Sequence, residues 1–105
     1  MPKPKKAARG KHRWIAMRYE NSINRSNLKQ LLQTQLEGFS WSLYDVLESN
    51  GETFAILKIP LKEYRDLILK INNTVDLSTF SSSGKIKLVR QRINSVIGEE
   101  PLNSV

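Results

Sequence analysis

Two β-prone runs, Trp41-Ser42-Leu43-Tyr44-Asp45-Val46-Leu47-Glu48 and Thr53-Phe54-Ala55-Ile56-Leu57-Lys58-Ile59, are joined by Ser49-Asn50-Gly51-Glu52. Asn-Gly between such runs is a strong signal for a tight hairpin, so the runs are expected to pair as antiparallel strands two and three. The second run is apolar on both of its alternating faces, which a sheet with one solvated side would not require. Both faces of that sheet are therefore expected to be covered, the second either by a C-terminal helix or by a partner protein.

Upstream of the hairpin, Asn24 reads as an N-cap with Ile23 and Leu28 in the positions of a hydrophobic staple. Leu28, Leu31, Leu32, Gln35, Leu36 and Phe39 recur at helical spacing. The pattern predicts a helix over 25–37, ended by a left-handed Gly38. Before it, Arg13 to Tyr19 is short and rich in aromatic and branched residues, and reads as strand one. Downstream, Pro60 suits a first helical turn, and Leu61, Tyr64, Leu67, Ile68 and Ile71 form one stripe of a second helix reaching Asn72. Val75 to Ser82 reads as strand four, with Leu77 and Phe80 as its main apolar contacts. Ile86, Val89, Ile93, Val96 and Ile97 gather on one face of a last helix, which Gly98 and Pro101 are expected to stop.

The resulting order, β-α-β-β-α-β and then α, predicts an α+β, ferredoxin-like or RRM-like domain with a four-stranded antiparallel sheet and a C-terminal helix. A chain of 105 residues fits one such domain. It is expected over residues 12–98, between a flexible basic arm at 1–11 and a frayed tail at 99–105.

With no cysteine and one histidine, disulfides, thiol nucleophiles and a zinc shell are excluded. His12 has no evident carboxylate or nucleophile beside it in sequence, which argues against general-base catalysis, and no catalytic residue or bound metal is expected. The basic start leads into no apolar run, so a soluble, cytoplasmic protein without membrane contact is expected.

The net charge of +7 is unevenly placed. Residues 1–19 carry seven cations and no acid, residues 20–76 carry six cations and eight acids, and residues 77–98 carry four cations and no acid. Such segregation raises the local potential toward a polyanion. Lys3, Lys5, Lys6, Arg9, Lys11, His12 and Arg13 are thus candidate phosphate contacts, which would release counterions and make binding salt-dependent. A solubilising tail is the other reading of the arm. Ser81-Ser82-Ser83-Gly84-Lys85-Ile86-Lys87 turns a strand end into a helix start, where free N–H groups and lysines suit an anion. Ser83, Gly84, Lys85, Lys87, Arg90 and Arg92 are the second set of RNA-binding candidates. The alternative is that a serine merely caps the helix. Phe54-Ala55 echoes an RNA-recognition strand without its second aromatic, so Phe54 reads as core, and Trp14 reads as core or as a stacking surface. Asp45, Glu48 and Glu52 read as a solvated edge.

In this element order the chain resembles the archaeal ribonuclease P protein component 2 family, the counterpart of the eukaryotic Pop-five subunit, over about residues 12–97. The resemblance rests on Arg13-Trp14-Ile15-Ala16 after a basic lead, the Gly51 hairpin, Pro60-Leu61-Lys62-Glu63-Tyr64-Arg65, and Ser83-Gly84-Lys85-Ile86-Lys87. Lys85 stands where the family has threonine. The resemblance implies an accessory protein of an RNA-based endonuclease that removes 5′ leaders from precursor tRNA. Catalysis and magnesium would belong to the ribonuclease P RNA. The implied partners are that RNA and protein component 3, of the Rpp-thirty family, in a heterotetramer built around a pair of component 2 chains. Two further classes are compatible with the residues: another ribonucleoprotein or ribosome-associated RNA-binding module, and a ligand-sensing ferredoxin-like regulatory domain.

Overall fold

The structure, a computed structural model, describes residues 11–103. Lys3, Lys5, Lys6 and Arg9 of the expected arm, and Ser104 and Val105 of the expected tail, lie outside the described residues. The elements are β1 (His12–Tyr19), α1 (Arg25–Gln35), β2 (Ser42–Ser49), β3 (Glu52–Pro60), a 3-10 turn (Leu61–Glu63), α2 (Tyr64–Asn72), β4 (Leu77–Ser83) and α3 (Ile86–Asn103). The sheet order is β2-β3-β1-β4 with every neighbouring pair antiparallel, the order of the ferredoxin-like fold.

The hairpin forms as its sequence dictates. Ser49 pairs with Glu52, leaving Asn50 and Gly51 as a two-residue loop with φ of 53° and 83°. Both values are left-handed, as a type I′ turn requires, and that turn twists with the strands it joins.

Alternation along the strands builds two cores. Ile15 and Met17 of β1 join Ala55, Leu57 and Ile59 of β3 against Leu28, Leu32 and Leu36 from α1 and its exit, and Leu67 and Ile71 of α2. Trp14, Ala16, Phe54 and Ile56 point the other way, against Val89 and Ile93 of α3. The C-terminal helix therefore covers the second face that the sequence left open between helix and partner. Each aliphatic side chain fully buried in this way contributes roughly 1.5–3 kcal/mol. Thr53, a buried polar residue at 1% exposure, is satisfied. Its Oγ1 accepts from Ile23 N at 3.0 Å and donates to Asn21 O at 2.9 Å, tying the approach to α1 onto β3.

The Asn24 side chain accepts from Asn27 N at 2.8 Å, the expected cap of α1. That helix ends at Gln35, short of 37, because Leu36 and Glu37 enter a turn that Gly38 completes at φ 93°. Pro60 ends β3 in extended conformation instead of opening the second helix. It sits opposite His12, and Leu61 N, the next available donor, bonds Lys11 O at 3.2 Å. Strand β4 begins at Leu77: Asp76 takes a φ of 69° and leaves Val75 80% exposed. Phe80 is 39% exposed and meets Phe54 edge-on at 5.9 Å, so Leu77 alone anchors β4 in the first core. Helix α3 runs to Asn103, past Gly98 and Pro101. In a helix interior these residues cost about 1 and about 3 kcal/mol relative to alanine, which weakens the last turns without forbidding them. Among the described residues no helix is long and apolar enough to cross a membrane.

Candidate nucleic-acid interface

Antiparallel pairing decides where the two basic segments meet. His12 faces Pro60 and Trp14 faces Ser83, so the start of β1 lies beside the ends of β3 and β4. Lys11, His12 and Arg13 thus share one end of the sheet with Ser83, Gly84 and Lys85. Helix α3 starts there too, with Lys87 in its first turn.

Neighbouring rings and hydroxyls hold these groups in place. The Arg13 guanidinium lies 5.3 Å from the Tyr64 ring centroid, and Tyr64 shares a 2.8 Å hydrogen bond with the Ser82 hydroxyl. The His12 ring meets Trp14 at 5.6 Å in a T-shaped contact. Ser83 Oγ accepts from Lys85 N at 3.1 Å, which fixes the short link into α3. A Cβ added at Gly84 would meet nothing within 4 Å. Lys85 and Lys87 are exposed.

The two arginines of α3 behave differently from the lysines. Arg90 donates to both carboxylate oxygens of Asp45, at 2.7 and 3.1 Å, and so ties α3 to β2. The hydrogen bond that Arg90 donates to Asp45 raises the Arg90 pKa above its ordinary value, the burial cost opposing it. Arg90, expected among the phosphate contacts, has its charge neutralised locally, and Asp45 is a partner rather than part of a solvated edge. Glu52 likewise lies 3.9 Å from Arg18, and Glu48 accepts from the Ser22 hydroxyl. Arg92 donates to Ser81 Oγ at 2.8 Å and to Ser82 O at 3.3 Å, neutral partners that leave its charge unpaired among the described residues.

Lys58 and Lys62 also belong to this end, although both fall in the nearly neutral middle of the chain. Lys58 pairs across the ladder with Trp14, its ammonium 5.5 Å from a Trp14 ring centroid. Lys62 follows Pro60 in the 3-10 turn. Counting charge along the chain conceals them, whereas counting across the hairpin and β1 would have found them. With Lys11 and His12 they line an open cleft of about 480 Å³ between the ends of β2 and β3, together with Ser40, Trp41, Tyr44 and Glu63. Glu63 is the one acid in that lining, and its Oε1 accepts from Ser40 N at 2.8 Å.

Phe54 is 3% exposed and Trp14 9% exposed within the second core, as the core reading of both expected. Among the described residues no three His, Asp or Glu side chains are grouped to hold a metal ion. No protein-family model, curated protein or solved structure matches the chain.

Proposed function

We propose that this protein is an RNA-binding accessory subunit of ribonuclease P, assisting an RNA catalyst that removes 5′ leaders from precursor tRNA. The observation that carries the RNA-binding part is the pairing of Trp14 with Ser83. It brings the segment of Lys11 and Arg13 beside that of Lys85 and Lys87, far apart in sequence, at one end of the sheet. Clustered cations neutralise phosphates and release their counterions, which is the dominant source of affinity for a nucleic-acid backbone. The narrower assignment to ribonuclease P is supported by the motif resemblance, above all Ser83-Gly84-Lys85-Ile86-Lys87 at the start of α3.

In this role the protein performs no bond chemistry. It would hold phosphates of the RNA close together, work that otherwise falls to magnesium, with ribonuclease P protein component 3 as its protein partner. The test is cleavage of precursor tRNA by the cognate RNA as magnesium is lowered, with component 3 present and this chain added or omitted. Addition is expected to lower the magnesium needed for half-maximal rate. An unchanged magnesium curve rejects the ribonuclease P assignment, and co-purification with ribosomal RNA instead would point to a different ribonucleoprotein.

A further inference from the structure

We propose that the cleft between the ends of β2 and β3 takes one unpaired ribonucleotide, with its base against Tyr44 and its phosphate among Lys11, Lys58 and Lys62. The proposal rests on the RNA-binding reading and names a site within that surface. Tyr44 is a large side chain left 39% exposed, yet its ring is held against Trp14 at 4.7 Å and an 82° angle. An exposed aromatic with a fixed attitude loses little freedom when a base stacks on it.

The cation set beside that ring fits a sugar-phosphate. Among the described residues, ion pairs form at Arg18–Glu52 and Arg90–Asp45, and neither involves Lys11, Lys58 or Lys62. Glu63, the acid in the lining, is engaged by the Ser40 amide. A volume of about 480 Å³ lies within the roughly 300–1,000 Å³ of small-ligand sites. The base must be unpaired, because a duplex covers the base faces that would meet the ring. With α3 seated over Phe54 and Trp14, these two rings are closed to bases, while the cleft at the sheet end stays open.

The test measures binding of the full chain, at one ionic strength, to a fluorescent single-stranded hexanucleotide RNA and to a blunt RNA duplex. Tyr44→Ala is expected to weaken hexanucleotide binding about ten-fold, the scale of losing one stacked base, and to leave duplex binding within about two-fold. Tyr44→Phe should keep wild-type affinity, since the ring does the stacking. Lys62→Ala, at an exposed position, is expected to weaken the hexanucleotide more than the duplex, and it keeps the test decisive if Tyr44→Ala perturbs folding. Wild-type affinity in both alanine variants, or equal losses on both RNAs, overturns the cleft assignment while the RNA-binding reading stands. Binding of neither RNA by the wild-type chain overturns both.

Discussion

Gly51 and Gly84 are both exposed, but their backbones make opposite demands. Gly51 holds a φ of 83° in the hairpin turn, a region where a Cβ is penalised whatever the space around it. Gly51→Ala is therefore expected to lower unfolding free energy by about 1–2 kcal/mol, read by chemical denaturation. Gly84 is outside that left-handed region and has open space where a Cβ would go. Gly84→Ala should leave stability unchanged or slightly higher, because it narrows the unfolded ensemble. Should it nonetheless weaken RNA binding, the cause would be close approach of an RNA backbone to the link between β4 and α3.

At the scale of elements, α3 closes the second face with its aliphatic stripe, and the Arg90–Asp45 pair adds direction to that packing. An exposed ion pair of this kind contributes at most about 1 kcal/mol, whereas Ile93 is 1% exposed in the second core. Ile93→Ala is expected to cost about 2–5 kcal/mol, measured by denaturant unfolding, and a loss under 1 kcal/mol would mean that α3 is only loosely seated. The existence and order of the elements were legible because each carried its own periodicity, cap or turn. The details that failed depended on neighbours invisible in a linear reading. Pro60 stayed in β3 because His12 lies opposite, and Phe80 turned toward Phe54 rather than into the first core. Likewise Ser83, Lys85 and Lys87 could be singled out from the sequence, but the commitment of Arg90 to Asp45 and the addition of Lys58 and Lys62 required the folded sheet.

For the whole molecule, charge placement decides more than net charge. Lys85 and Lys87 would act on RNA as phosphate contacts, each adding about 0.7 to the salt slope of single-strand binding. The double variant Lys85→Ala, Lys87→Ala is expected to reduce that slope by about 1.4, while Arg90→Ala, already neutralised by Asp45, should leave it unchanged. Titrating binding against potassium chloride for the three proteins checks this, and equal slopes would remove Lys85 and Lys87 from the interface. The central position of β1 has a consequence for biosynthesis. It emerges from a ribosome ahead of the strands it pairs with, and its ladder partners run up to Pro60 and Ser83. Only the β2-β3 hairpin is local, and non-local pairing is slow to form, so folding should start mid-chain and close outward. A nascent chain halted before α3 would carry Trp14, Ala16, Phe54 and Ile56 as an uncovered apolar face. Chaperone capture is thus most needed in the interval between synthesis of β4 and the docking of the last helix.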